Sequence, residues 1–555
     1  MESMRNLMWT RKKKTVETEE FPVKDPSKYL WEKDKDSDQY IDLFSIALED
    51  EVKNEVEEEF EELTQNPDRK ENAKSKNYRD IGHTIVDPFV ALNTYNKSLR
   101  YAEIGSRHVS LAYANRASCF YELTEYKKAF VSINMAKEDV HFPTFLLAKL
   151  AELEENIKAR FREKHEKEIE EVGDPTEVRR ELAYAANKKH PCLSDVVKIK
   201  ESKQYGRYIV SKYKLPADQI ILIEEAYLHA FDTESLRSCG TCLTEDVNFI
   251  ACEGCTETMF CNKECQARNE LHKWECNTFL TSVIHQIRIA IYSILLAIDA
   301  FTTNGETDVN ELIQGVEKLY KEKEKKQYPE STLDSKSKYQ FFFKLAISGL
   351  DPERAELVIR IIYMIFLMVL KIPKNQSLFV DEKSRRFLQH LITHHICVIN
   401  TNSFGEENST TLGLVESLFN HSCAPSINRE LISNEQYYYT GKKVQEGVQL
   451  FITYLNLEAY KDKSVRQKKL RENWCFDCNC IVCAPKEPSL ADKCNSALMT
   501  ILYNQFEREF ENVSHVDTVV DTFEDSAVDR SENEAIEMLE VTADDNSRMK
   551  FSLEE

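Results

Sequence analysis

Glycine and proline are scarce, at 13 and 14 of 555 residues. That excludes a collagen-like or Pro/Gly low-complexity architecture. Positive charge is in deficit, with 73 Lys and Arg against 95 Asp and Glu, a net of −22. Non-specific nucleic-acid binding depends on Lys and Arg neutralising phosphates, so no direct nucleic-acid binding is expected. A basic partner, such as a histone tail or another Lys-rich protein, is compatible with the balance. Long apolar runs are missing too. The most apolar one, Ile361 to Leu370, is well short of the ~18 residues a membrane span needs. The stretch Phe279 to Phe301 is longer but carries His285, Arg288 and Asp299, so no membrane segment is expected. No apolar stretch precedes the basic run Arg11 to Lys14, so no secretory leader is expected, and nucleus and cytoplasm are the expected compartments. What is present, 42% hydrophobic and 10% aromatic residues, is enough for sizeable cores. At roughly 100–200 residues per domain, about three to five units follow.

Residues 1–70 read as a charged, flexible N-terminal segment, with Glu49 to Glu62 acid-rich. Residues 71–172 read as helices. Within Tyr113 to Ala136, small residues fall at Ala117, Ala129 and Ala136, with Phe120 and Ile133 between them. That spacing suits two close-packed antiparallel helices, as in a tetratricopeptide repeat. A weaker copy lies at Phe89 to Tyr95, and the charged helix Leu147 to Glu171 follows. Gly173-Asp174-Pro175 marks a boundary. Beyond it Tyr208 to Val210, Ile220 to Ile223, Tyr437 to Tyr439 and Leu450 to Tyr454 read as short strands. Residues 281–400 read as a helical insert. The end, 487–555, reads as a helix over Leu490 to Phe510 and an acidic tail.

Sixteen cysteines need an explanation, and seven of them fall between Cys239 and Cys276 together with His272. Outside a secretory context such clustering means metal rather than disulfides. The run is Cys239-x2-Cys242-x9-Cys252-x2-Cys255-x5-Cys261-x3-Cys265-x6-His272-x3-Cys276. Eight ligands make two four-coordinate zinc sites with no position open for water, hence structural sites. The order of ligands resembles the MYND zinc finger, over 236–280. By that resemblance Cys239, Cys242, Cys261 and Cys265 hold one ion, and Cys252, Cys255, His272 and Cys276 the other. A second group, Cys475-x2-Cys478-x-Cys480-x2-Cys483, offers three ligands in C-x-C-x2-C spacing that need a distant fourth.

The segment Ser417 to Pro425 reads SLFNHSCAP, and Tyr454 follows within LFITYLN. With the second cysteine group behind it, this order resembles the SET domain of protein-lysine methyltransferases and, with the inserted finger, the SET- and MYND-domain family in its repeat-bearing branch. The fold implied is α+β: a β-rich SET domain split by the finger and a helical insert, behind an N-terminal helical repeat region. The SET parts would be 190–235, 401–460 and a post-SET zinc segment, 461–486. The resemblance implies S-adenosylmethionine as cofactor and three structural zinc ions, the third held by Cys423 with Cys478, Cys480 and Cys483. It implies cofactor binding by Asn420, His421, Asn402, Gly206, Arg207 and Phe476. It places Tyr454 where methyl donor and lysine channel meet. The implied partners are a lysine-bearing protein substrate, with histones among the candidates, and proline-rich or regulatory proteins at the finger.

The sequence also departs from the family pattern. Gly206-Arg207-Tyr208 stands where Gly-x-Gly is usual, and Gly447-Val448-Gln449 where Gly-Glu-Glu/Gln is usual. Ser426 replaces an Asn, and Trp474 replaces the second channel tyrosine. Two functions therefore stay open: a lysine methyltransferase, or a weakly active or inactive SET/MYND scaffold recruiting partners in transcriptional regulation.

Overall fold

The computed structural model describes residues 26–34, 39–65, 67–171, 181–231, 237–245, 248–323, 332–347, 355–405, 409–484 and 549–550. It divides into two units, Met1–Cys478 with Arg548–Glu555, and Asn479–Ser547. No helix among the described residues is long and apolar enough to cross a membrane. The expected helix at Leu490 to Phe510 and nearly all of the acidic tail lie outside the described residues.

The first helical block shows how local chemistry sets its elements. Asp87 caps helix Pro88–Tyr101 by accepting the N–H groups of Phe89 and Val90, with Pro88 in the first turn, where its missing N–H costs nothing. Ala91, Leu92, Tyr95 and Leu99 recur at helical spacing and are buried. The next helix, Arg107–Glu122, is buried almost all round, and its small residues Ala112, Ala114 and Ala117 let neighbours approach closely. It packs on helix Tyr126–Glu138. Together they form one core around Leu99, Leu111, Phe120 and Ile133.

This block is bolted to the cysteine-rich segment by buried arginines. Arg116, fully buried, donates to the Phe249 carbonyl at 2.7 Å and to Asn248 Oδ1 at 3.3 Å. Asn248 also accepts from Ser132 and donates to the Lys128 carbonyl at 3.0 Å. Arg100 donates to the Glu257 carbonyl at 2.8 Å. Burial pulls the Arg116 guanidinium down to about 10, so it is still charged at neutral pH. Replacing Arg116 by methionine keeps the volume but takes the guanidinium donor from the Phe249 carbonyl and one of the two donors from Asn248 Oδ1. The expected cost is about 2–4 kcal/mol. A denaturant midpoint within error of the parent would contradict it.

Over its described residues, 26–34, 39–65 and 67–70, the N-terminal segment differs from the expectation of a charged, flexible stretch. Trp31, Tyr40 and Phe44 are buried in the main core. Trp31 N–H donates to His390 Nδ1 at 2.8 Å, and Leu43 N–H to Gln389 Oε1 at 2.8 Å. The acid-rich stretch forms helix Asp50–Leu63. Its stripe Val52, Val56, Phe60 and Leu63 faces the core, while Glu55 pairs with Arg360 and Glu57 accepts from Tyr363. The acidic side chains obscure that stripe in the sequence, and their partners lie on the apolar helix Ala355–Lys371 of the insert.

Strands from both sides of the finger and insert meet. Ile220–Glu225 pairs antiparallel with Glu435–Thr440, which pairs with Ile427–Ile432. Leu228–Phe231 pairs with Ser409–Leu412. The β domain is thus built from pieces separated in sequence by the finger and the helices 285–402, an α+β arrangement.

Candidate metal centres and active site

In the finger, short strands Ile250–Ala251 and Met259–Phe260 pair, and two short helices, Lys263–Arg268 and His272–Glu275, follow. The ligand atoms of Cys239, Cys242, Cys261 and Cys265 lie within 4.8 Å of one another, as do those of Cys252, Cys255, His272 and Cys276. Zinc–sulfur bonds of about 2.3 Å in a tetrahedron space sulfurs about 3.8 Å apart. The Cys252–Cys276 and Cys242–Cys261 separations are 3.7 and 3.5 Å, which fits. Backbone N–H groups turn toward the sulfurs: Thr241 and Cys261 donate to Cys239 at 3.4 Å, and Gly254 to Cys252 at 3.3 Å. Such donors stabilise thiolates. At Gly254 a Cβ would come 2.8 Å from Cys276 Sγ, inside the ligand cluster. His272 presents Nε2 to the sulfurs and Nδ1 to Glu275 Oε1 at 3.0 Å. Glu275 also accepts from Tyr292, so a buried carboxylate fixes the ring's tautomer.

In the first unit, Cys423 and Cys478 bring their sulfurs within 4.8 Å. Gln467, in helix Lys463–Trp474, grips the Cys478 backbone, donating to its carbonyl at 2.6 Å and accepting its N–H at 3.0 Å. In the second unit, residues 479–484 form a turn in which Cys483 and Ala484 N–H groups donate to the Cys480 carbonyl.

The Asn420–His421 pair forms a two-residue strand parallel to Phe451–Ile452. That pairing carries Tyr454 back beside it. Tyr454 N–H donates to His421 Nδ1 at 3.0 Å, and Tyr454 hydroxyl donates to the Phe419 carbonyl at 2.8 Å. Since Nδ1 accepts, the neutral ring carries its proton on Nε2, which points at Cys423 Sγ, 3.3 Å away. Burial, then Arg466, brings His421 down to about 4, so it is neutral at physiological pH. Burial pushes the Tyr454 phenol above its ordinary value, so it stays protonated. The rings of His421, Trp474 and Phe476 surround Tyr454 at 5.3, 5.1 and 6.5 Å. Sequence reasoning missed the link from Cys423 through His421 to Tyr454, because nothing in residue spacing reveals a side-chain tautomer.

The remaining predicted cofactor residues border this cluster unevenly. Asn420 Nδ2 donates to the Tyr205 carbonyl at 3.1 Å, next to the hairpin turn at Gly206. Gly206 has φ +60° and open space where a Cβ would be. Arg207 is instead engaged by the Lys344 carbonyl at 2.6 Å. The Asn402 amide donates to the Ala346 and Val398 carbonyls at 2.8 and 2.7 Å, leaving only its oxygen for a ligand. Trp474 Nε1 donates to the Thr401 carbonyl at 2.9 Å. It walls a cavity of ≈ 20 Å³ that Tyr454, Phe404 and Phe419 also line. That is room for about one water.

Residues 239–276 match the family model described as the MYND finger. The chain is 27% identical to a SET and MYND domain-containing protein of Dictyostelium discoideum, over 51% of this chain and 58% of that protein. It is 24% identical to the protein-lysine N-methyltransferase SMYD4 of Danio rerio, over 36% of this chain and 28% of that one. It is 24% identical to the N-lysine methyltransferase SMYD2 of Gallus gallus, over 45% and 50%. The chain therefore spans about half, or less, of the length of these curated relatives. A solved SET domain of LSMT bound to lysine and AdoHcy overlaps 51% of this chain and 53% of its own at 11% identity and a TM-score of 0.27. A MYND finger is thus matched from Cys239 to Cys276, inside a chain that is similar over about half its length to a SET and MYND domain-containing protein.

Proposed function

We propose that this protein transfers a methyl group from S-adenosylmethionine to a lysine side chain of a protein substrate. The observation that carries the reading is the Tyr454 hydroxyl, held on the Phe419 carbonyl beside the Asn420–His421 strand. The cofactor residues would be Asn420, His421, Asn402, Gly206, Arg207 and Phe476. What S-adenosylmethionine supplies when bound is an activated methyl group. The chain's task is positioning. The Phe404, Phe419 and Trp474 rings line one side of the cavity beside Tyr454 and would exclude water from that side, and burial of this kind favours a neutral amine. The Tyr454 oxygen, its proton committed to Phe419, has lone pairs left to accept an amine N–H and so aim the nitrogen lone pair. A third zinc ion is proposed on Cys423, Cys478, Cys480 and Cys483.

One observation favours the scaffold reading. Trp474 stands where the family has its second channel tyrosine, has no phenolic hydroxyl, and spends its Nε1 proton on the Thr401 carbonyl beside the cavity that Tyr454 lines. Under that reading the finger and the tetratricopeptide-like helices recruit proline-rich or regulatory proteins.

A calorimetric titration of zinc-replete protein with S-adenosylmethionine, paired with labelled-methyl transfer to lysine-bearing proteins including histones, separates the two. Binding with transfer is the expected result, alongside three zinc ions per chain by elemental analysis. Binding without transfer would favour the scaffold. No binding at millimolar cofactor would sink the methyltransferase reading.

A further inference from the structure

Two glutamates are buried behind the active site and face each other's charge. Glu224 sits near the end of strand Ile220–Glu225, before the finger. Its Oε1 accepts the N–H groups of Leu414 and Val415, both at 2.9 Å, and its Oε2 accepts the N–H of Glu416 at 2.7 Å. Three consecutive backbone donors converge on one carboxylate, the arrangement of an anion nest. Glu416 in turn accepts the Gly413 N–H at 2.6 Å and the Tyr438 hydroxyl at 3.2 Å. The packing leaves no slack. At Gly413 a Cβ would come 2.7 Å from Glu416 Cγ and 2.9 Å from Glu224 Oε2. Burial and the neighbouring Glu416 press the Glu224 carboxyl upward, and the three N–H bonds, which use both of its oxygens as acceptors, hold it down.

The clamped turn leads straight to the site. The carbonyls of Val415 and Glu416 accept the N–H groups of Leu418 and Phe419 at 3.0 and 3.1 Å. The Phe419 ring stacks on Tyr438 at 4.9 Å. The Phe419 carbonyl is the acceptor of the Tyr454 hydroxyl. One carboxylate, donated by a strand on the far side of the finger and insert, thus fixes the turn whose last carbonyl anchors Tyr454.

We propose that Glu224 is a positioning residue for methyl transfer, acting through the Leu414–Phe419 turn to set the carbonyl on which the Tyr454 hydroxyl rests. This role depends on the methyltransferase reading of Tyr454. Glu224→Gln keeps the shape but offers one acceptor oxygen in place of two, and its NH₂ meets backbone N–H donors head on. At least one of the three bonds must open, and the turn shifts. A small displacement of a positioned group is enough to slow a reaction about 10²-fold.

The test compares the full-length parent with Glu224→Gln and with Gly413→Ala, which keeps both carboxylates but drives a Cβ into them. The first readout is the ζ-¹³C resonance of Tyr454, identified by its absence in Tyr454→Phe. It is expected to move in either variant while tyrosines of the N-terminal helices do not. The second is turnover: a drop in kcat of about 10- to 100-fold, with KM for S-adenosylmethionine within about twofold of the parent. The combined loss with Tyr454→Phe should be no larger than Tyr454→Phe alone, since the two act on one element. An unmoved Tyr454 resonance in folded variants, or losses that multiply, would overturn the proposal. If Glu224→Gln does not fold, Gly413→Ala carries both readouts. A parent without methyl transfer would overturn the methyltransferase reading, and the resonance would still decide whether Glu224 positions Tyr454.

Discussion

Replacing Tyr454 by phenylalanine is expected to lower kcat for lysine methylation by about 100-fold while leaving KM for S-adenosylmethionine within about twofold. The size follows from what is removed. A preorganised polar group aimed at the reacting centre is commonly worth about 10²–10³ in rate. Here the phenol is protonated across the working pH range, because burial holds it above its ordinary value. Its proton is fixed on the Phe419 carbonyl, so its oxygen is an oriented acceptor rather than a free rotor. Phenylalanine keeps the ring contacts with His421 and Trp474, so the fold loses one hydrogen bond, about 1 kcal/mol. Cofactor affinity should survive, since Asn420 and His421, not Tyr454, are the proposed cofactor contacts. Measuring single-turnover transfer with saturating cofactor isolates the step. Undiminished transfer would show that Tyr454 is only a packed ring. A loss of cofactor binding in parallel with rate would show that the substitution disturbs the cleft rather than the chemistry.

The parts legible in the sequence are those where chemistry demands fixed residue types at short range. Zinc needs four soft ligands, and turns supply them in pairs, so the spacing from Cys239 to Cys276 is enough by itself to imply two closed sites. The strands at Ile220 and Tyr437 are legible as strands from their β-branched and aromatic residues, though their pairing with each other is not. Contacts between distant segments leave no such trace. The helix Asp50–Leu63 hides a core-facing stripe among acidic residues, and its partners Arg360 and Tyr363 lie in the insert. Asn402 reads as a cofactor ligand from its place in the motif order, yet its amide protons go to Ala346 and Val398, the first in a loop the motif does not include. Glu224 reads as an ordinary strand end. Its three donors come from Leu414 to Glu416, beyond the finger and the whole helical insert. Local rules predict local structure, and the site is assembled by non-local hydrogen bonds.

Stripping zinc from the finger, by chelator or by Cys261→Ala, is expected to unfold residues 239–276 as a unit and to loosen the helices that grip them. The finger has little else to hold it. Its own core is Phe249, Met259 and Phe260 packed among the ligand cysteines, and each of its strands is two residues long. So small a core does not stand without a staple. Zinc supplies that staple, with apparent binding free energies of about 10–16 kcal/mol in comparable small domains. Loss would then spread. Phe249 and Asn248 are the acceptors of the buried Arg116 guanidinium, and Glu257 that of Arg100. A buried cation deprived of its acceptors costs about 3–5 kcal/mol. Helices Arg107–Glu122 and Tyr126–Glu138 should therefore open, although they bind no metal. Hydrogen exchange followed by mass spectrometry, with metal content counted in the same sample, checks this. Faster exchange at 248–260 and at 107–138, after loss of two ions, is the expected pattern. Two ions lost with exchange unchanged at 107–138 would show that the helices stand without the finger, and that Arg116 and Arg100 finish an interface rather than hold it.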